Sequence, residues 1–305
     1  MLTYQDIRQN VNTMPIDLND LIAALRRGDL VPYLGAGALA GVVDPATNAP
    51  IPADSHSLIL AMNQGQPMSP RLMWEFSRAA MNVELKRGRG AVNRFLNETY
   101  GQRTWTRSVL HDWLATLELH YVIDINRDTQ MQDAYADRPH TLICGIARLG
   151  GTDNRFRIHA YDGNQYHLVE QDAVDPDLPI LFKPLGSPRP EPTYIASDAD
   201  FVDYLTELMG GFGLPRFLKS DRVGRQYLFL GLRLTRDTER MVLSDITYAA
   251  GEPTGWALIP DPTDKERRFC RTKGIVMIEA DIPDLLQRVG LTSSVSSPEV
   301  NCQDV

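Results

Sequence analysis

The sequence is poor in cysteine, has no long apolar run and carries no excess of positive charge, and each shortage excludes a class of protein. Its three cysteines, Cys144, Cys270 and Cys302, are too few and too scattered for a disulfide framework or a four-cysteine zinc site. No apolar run approaches the roughly 20 residues that span a bilayer. A net charge of −8 leaves no basic surface for nucleic acid. Residues 1–12 lack a signal-peptide core, so we expect a cytoplasmic protein with no membrane and no direct nucleic-acid partner.

The pattern that is present is an alternation of short apolar strands with amphipathic helices. Apolar residues make up 43% of the chain, and 305 residues are enough to bury a substantial core. Such alternation predicts an α/β fold: a Rossmann-like, mostly parallel sheet with helices on both faces and a helical insertion. Strands are predicted at 30–34, 121–125, 141–146, 155–159, 166–169, 179–183, 227–230, 256–259 and 275–278, and helices at 17–27, 55–62, 71–86, 90–100, 105–119, 201–209, 237–246, 264–273 and 283–289.

Residues 70–118 show helical spacing with little sign of strands, which predicts a helical insertion of about 55–118 within one domain, 1–290. Its tryptophans, Trp74, Trp105 and Trp113, are expected in the core. The block could serve as a lid or as an oligomerisation surface, and we expect a homo-oligomer or a partner protein. The polar, serine-rich segment 291–305 is predicted to be a disordered tail.

Four predicted strands end in glycine-containing or polar tips, which parallel strands would bring to one edge of the sheet. In the first tip, glycines would let the backbone approach a phosphate, with amides at a helix start binding it. Tight packing between strand and helix is the alternative for that turn. The tips are Gly35-Ala36-Gly37, Asn126-Arg127-Asp128, Leu185-Gly186-Ser187 and Gly231-Leu232-Arg233.

The order of these tips, over about residues 20–290, resembles the sirtuin family, and more closely its bacterial branch of NAD-consuming defence proteins. The Gly-Ala-Gly turn matches the phosphate turn of the family. The segments 51–52, 124–128, 183–187 and 231–237 resemble its later motifs, although the first lacks a glycine. The resemblance implies NAD or ADP-ribose as cofactor and no metal, because the zinc module of the family is absent. The implied cofactor-binding residues are Gly35, Ala36, Gly37, Pro52, Asn126, Gly186, Ser187, Gly231 and Arg233.

By the same resemblance, Asn126 and Asp128 are the catalytic candidates, near the nicotinamide ribose and carboxamide. Breaking the N-glycosidic bond builds oxocarbenium character, which polar groups near the ribose stabilise. The position of the family histidine, the base for a ribose hydroxyl, holds Leu185, which cannot accept a proton. Among the other histidines, His56 is the least implausible replacement. Arg233 replaces a serine and suits either a phosphate or a neighbouring carboxylate.

The sequence leaves two main hypotheses about the function, and a third is less favoured. The first is a sirtuin-like NAD or ADP-ribose binding protein that is weakly catalytic or inactive because of Leu185, acting as a sensor or structural subunit. The alternative is an active NAD glycohydrolase of a bacterial defence system, which releases nicotinamide and uses Asn126 and Asp128; protein deacetylation is not expected. An unrelated phosphoribohydrolase-like enzyme is disfavoured, because the chain lacks a glycine-glycine-threonine phosphate loop.

Overall fold

The computed structural model describes residues 17–150 and 152–291, which alternate between strands and helices as predicted. The strands are β1 (Leu30–Leu34), β2 (Tyr121–Asp124), β3 (His140–Gly145), β4 (Phe156–Tyr161), β5 (Tyr166–Leu168), β6 (Ile180–Lys183), β7 (Gly186–Ser187), β8 (Thr193–Tyr194), β9 (Gln226–Leu230), β10 (Gly255–Leu258) and β11 (Ile275–Ile278). The helices are α1 (Leu18–Arg26), α2 (Ser55–Met62), α3 (Phe76–Arg87), α4 (Arg89–Asn97), α5 (Val109–Ala115), α6 (Gln130–Ala134), α7 (Asp198–Gly210), α8 (Arg216–Asp221), α9 (Asp237–Ile246), α10 (Asp264–Thr272) and α11 (Ile282–Arg288).

A nine-stranded sheet forms the centre of the described chain, in the order β11-β10-β9-β1-β2-β6-β3-β4-β5. The strands from β11 to β3 run parallel, and β4 and β5 extend the sheet as antiparallel neighbours. β1 lies between β2 and β9, so that Tyr33 pairs with Ile123 on one side and Phe229 on the other. The predicted α/β, Rossmann-like fold is confirmed.

The central strands β1, β2, β6 and β9 are buried on both faces, which explains why they are mostly apolar rather than alternating. On one face, Val31 and Tyr33 pack in a core that includes residues of α7, α8 and α9. On the other, Leu30 and Leu34 pack with α1, α5 and α11. The helices therefore cover β1 on both faces, and a ligand site is expected at the carboxyl end of the strand.

Several helices begin at side-chain caps that the sequence indicated. Asp17 and Asp20 form a capping box at α1, and Ser197 and Asp200 form one at α7. The predicted capping box at 197–200 is confirmed, although α7 begins three residues earlier than the predicted 201. Short helices such as α6 and α8 were missed, because five or six residues are too few to show a period.

Helices α2 to α5 lie between β1 and β2, in the range predicted to be a helical insertion. Of these, α2, α3 and α4 share a third apolar core with residues that follow β1, whereas α5 packs on the sheet. Trp113 is buried as predicted, but Trp74 is 52% exposed, so its assignment to the core was wrong. It lies in a turn before α3, where the Arg236 guanidinium stacks on its ring. The domain boundaries stay a prediction.

None of the described helices has both the length and the apolar character needed to cross a membrane. The predicted tail, 291–305, lies outside the described residues apart from Leu291.

Candidate functional site

The four strands with glycine-containing or polar tips are neighbours in the sheet. Their order is β9-β1-β2-β6, and each adjacent pair is parallel, so the four tips meet at the carboxyl edge. The predicted convergence is confirmed. In parallel sheets, this edge is where ligands bind.

The glycines of the first and fourth tips pack directly on one another. The Gly37 amide donates to the Gly231 carbonyl over 2.8 Å, and a Cβ on Gly37 would lie 2.8 Å from the Gly231 Cα. Gly231 has a φ of +70°, and a Cβ there would meet the Ala38 nitrogen at 2.4 Å. The tight-packing alternative therefore describes part of this turn. Ala36 and Gly37 remain accessible at its surface, while Gly35 is buried.

A cleft of about 800 Å³ opens above these turns. It contains four of the predicted binding residues, Ala36, Gly37, Gly231 and Arg233, together with His56. Pro52 is buried beneath the cleft wall, where its carbonyl accepts a hydrogen bond from Tyr100. The other lining residues are Leu39, Ala40, Gly41, Pro50, Ile51, Ala53, Asp54, Ser55, Ile125, Leu232, Thr235, Arg236, Glu239, Leu258, Pro260, Asp281, Ile282 and Pro283.

The second tip is enclosed and holds the edge of the sheet together. The Asn126 amide donates to the Gly35 carbonyl and to Asp124 Oδ1, both over 2.9 Å. Arg127 is also buried, donates to the Ile195 carbonyl and lies over the Phe76 ring. Asn126 thereby ties the tip of β2 to the glycine turn, and it does not line the cleft in this conformation.

Beneath this tip lies a buried ion pair between Lys183 of β6 and Asp124 of β2. The Lys183 ammonium is 2.5 Å from Asp124 Oδ2, and both side chains are fully buried. Burial alone would lower the pKa of Lys183, but the Asp124 and Asp128 carboxylates outweigh it and hold that pKa above its usual value. Lys183 therefore stays charged and supplies the positive charge that this pocket needs.

Asp128 and His111 present unsatisfied acceptors to the same pocket. Burial raises the pKa of Asp128 to about 6, and Asp128 Oδ2 has no hydrogen-bond partner among the described residues. The Ser108 hydroxyl donates to the Ala38 carbonyl, so it accepts from His111 Nδ1 and leaves a lone pair on Nε2. Burial lowers the pKa of His111 to about 4, which keeps the ring neutral.

Three side chains in this pocket are close enough together to be considered as metal ligands. Ligand atoms of His111, Asp124 and Asp128 lie within 4.8 Å of one another, a set that a divalent ion could use. The Lys183 ammonium already neutralises Asp124, however, and a second cation would have to compete with it in a buried space. Protonation of Asp128, whose pKa burial raises to about 6, lowers the negative charge of this pocket without a metal ion.

The third tip is likewise buried away from the cleft. Leu185, at the position of the histidine expected from the resemblance, is 6% exposed and belongs to the apolar core on one face of the sheet. Gly186 pairs with Tyr194 between β7 and β8, and the Ser187 hydroxyl donates to Gln132. These contacts are structural, and a role for Gly186 and Ser187 in ligand binding stays a prediction.

Arg233 of the fourth tip forms an ion pair, one of the two roles that its residue type suits. Its guanidinium lies 3.1 Å from Glu266, which is fully buried at the start of α10. About half of the Arg233 side chain is exposed at the cleft, so it remains accessible to an anion. The arginine can therefore serve both partners.

Glu239, in the first turn of α9, is a cleft residue that the sequence reasoning missed. It is partly buried, and this confinement together with the adjacent Glu75 carboxylate raises its pKa to about 7, against the opposing effect of Arg236 and Arg127. The sequence feature that could have identified Glu239 is an acidic residue shortly after the glycine tip at Gly231. It could not be used without knowing that Glu75, just before α3, lies against α9, where it accepts a hydrogen bond from Thr238.

We expect Glu239→Gln to stabilise the fold at neutral and higher pH. The folded chain keeps the Glu239 proton up to about pH 7, whereas the unfolded chain loses it near the usual pKa of 4.5. As pH rises through that window, the free energy of unfolding of the native protein therefore falls by about 1–3 kcal/mol because of this group. Urea unfolding at pH 5 and pH 8 measures the difference. The prediction is wrong if Glu239→Gln raises the free energy of unfolding equally at both pH values. It is also wrong if Asp237→Asn, on the same helix, shows a similar pH dependence.

A comparison with protein families matches residues 120–278, just over half of the chain, to the SIR2-like domain. The matched segment begins at β2 and ends with β11, so it contains three of the four tips, while the glycine turn after β1 precedes it. No curated protein matches the chain at a significant level.

Proposed function

Because the chain belongs to the SIR2-like domain family, we propose that it binds NAD or ADP-ribose in the cleft at the carboxyl edge of the sheet. The observation that carries this proposal is the cleft itself. Its volume of about 800 Å³ suits a ligand of this size. Its floor is made of the two glycine turns, and Arg233 and Arg236 supply positive charge for a diphosphate.

We propose further that the protein is weakly catalytic or inactive toward NAD and acts as a sensor or as a structural subunit of an oligomer or a larger assembly. Leu185 is a core residue and offers no base, and the amide of Asn126 is committed to Gly35 and Asp124. Loss of a general base typically lowers a rate by about 10²–10⁴. Any hydrolysis would therefore be slow.

The second candidate is an NAD glycohydrolase of a bacterial defence system. One observation favours it: Asp128 Oδ2 has no partner among the described residues, and a pKa of about 6 suits acid–base chemistry near neutral pH. His56 lines the cleft and could contribute a second titratable group. For this function the tip of β2 would have to open toward the cleft.

The two functions are separated by titrating the purified protein with NAD and with ADP-ribose in a calorimeter, then analysing the same samples for nicotinamide by chromatography. We expect saturable binding of at least one ligand with little or no nicotinamide release. Rapid release that is lost on Asn126→Ala would instead establish the glycohydrolase. Absence of binding by either ligand would refute the proposal.

A cleft-filling substitution locates the binding. Ala40 is exposed and lines the cleft, whereas Ala49, nine residues later, is exposed but does not line it. Ala40→Trp should weaken nucleotide binding at least about tenfold, because the indole occupies ligand space. Ala49→Trp should leave the affinity unchanged. Equal effects of the two variants would place the binding elsewhere.

A further inference from the structure

Most of the charged groups in the cleft already have structural partners. Asp54 accepts hydrogen bonds from backbone amides at the start of α2, and Asp281 does the same at α11. Arg233 is paired with Glu266. The Glu239 carboxylate, in contrast, makes no hydrogen bond and no ion pair with any residue in 17–150 or 152–291, and it faces the cleft. It is therefore free to bind a ligand.

The position of Glu239 along the cleft indicates which part of a bound nucleotide it would contact. The glycine turns after β1 and β9 lie in the middle of the cleft, where a diphosphate would be bound. The ends of β10 and β11, with Leu258 and Asp281, form one side. Glu239 belongs to the other, since its charged neighbours are Glu75, Arg236, Arg127 after β2 and Asp54.

We propose that Glu239 recognises the ribose on the β2 side of the diphosphate, by accepting hydrogen bonds from its 2′- and 3′-hydroxyls. This inference rests on the proposed nucleotide binding. A vicinal diol offers two donors, and a carboxylate offers two acceptor oxygens in matching geometry. Arg127 and Arg236 offset the repulsion between this carboxylate and the diphosphate. We assign this ribose to the half of the ligand that bears the nicotinamide in NAD, so that it is the second ribose of ADP-ribose.

The test compares ADP-ribose with ADP, which lacks the second ribose, in calorimetric titrations of the native protein, Glu239→Gln and Asp237→Asn. The native protein should prefer ADP-ribose. In titrations at pH 8.5, where Glu239 with its pKa of about 7 is ionised, Glu239→Gln should weaken ADP-ribose about tenfold or more and leave ADP unchanged, because only the second ribose loses a charged acceptor. Asp237→Asn removes an exposed carboxylate from the same turn of α9 and should behave as the native protein does. Glu239→Asp, which keeps the charge but shortens the reach, should give an intermediate loss.

The outcomes separate this inference from the function on which it rests. If the native protein binds neither ligand, the nucleotide-binding proposal fails, and the role of Glu239 fails with it. If the native protein binds ADP-ribose and Glu239→Gln binds it equally well, only the role of Glu239 is overturned. Equal weakening of ADP and ADP-ribose would also overturn it, because the loss would then concern the shared part of the ligand. Melting temperatures of all variants check that each is folded.

Discussion

Lys183→Met should lower the free energy of unfolding by about 3–5 kcal/mol. The substitution keeps the apolar stem and removes the ammonium, which leaves the Asp124 carboxylate fully buried without its ion-pair partner. Asp128 lies in the same pocket and adds a second acidic group, so the uncompensated charge cannot be relieved by a neighbour. Guanidinium unfolding monitored by tryptophan fluorescence measures the loss.

A double-mutant cycle tests whether the loss comes from the ion pair. Lys183→Met combined with Asp124→Asn removes both charges, and we expect it to be less destabilising than the sum of the two single variants by at least about 1 kcal/mol. Lys86→Met, on the exposed surface of α3, is the matched control and should change stability by less than about 0.5 kcal/mol. Additive effects would show that Lys183 and Asp124 are not coupled.

The sheet could be predicted from the sequence because its central strands are buried on both faces and therefore read as continuous apolar segments. The meeting of four tips at one edge followed from a general rule about parallel strands, with no knowledge of the strand order. Helix starts were equally readable, since a capping box such as Ser197 and Asp200 is local in sequence. Strand hydrophobicity and helix caps depend on residues that are close together in sequence.

The direction of each side chain at the tips was not predictable, because it depends on residues far away in sequence. Asn126 points at Gly35, which is 91 positions away, and Lys183 points at Asp124, which is 59 positions away. Leu185 is a core residue because Ile195 and β3 pack near it, and nothing local indicates this. Glu239 became a candidate only once the packing of α9 beside Glu75 was known.

These contacts change how the family-like motifs of this chain are understood. Gly35, Gly231 and Gly186 sit at positions where backbone segments approach too closely for any side chain. Ser187 and Asn126 satisfy backbone or side-chain partners inside the protein. In this chain these motif residues thus build the edge of the sheet, whatever their part in ligand binding. Stability and ligand affinity must therefore be measured separately for each motif residue.

Gly186→Ala is the variant for which the structural role of a motif residue should have the largest effect on stability. Gly186 has a φ of +86°, and a Cβ there would lie 1.9 Å from the Thr193 carbonyl oxygen across the β7–β8 pair. Left-handed strain and the forced separation of the two strands together should cost about 2–5 kcal/mol. Gly224→Ala is the control, because Gly224 has a φ of +74° but no atom within 4 Å of the added Cβ, so it should cost only about 1–2 kcal/mol. Chemical denaturation gives both values. A Gly186→Ala protein as stable as Gly224→Ala would show that the close approach is not rigid, and the structural role of Gly186 would be refuted.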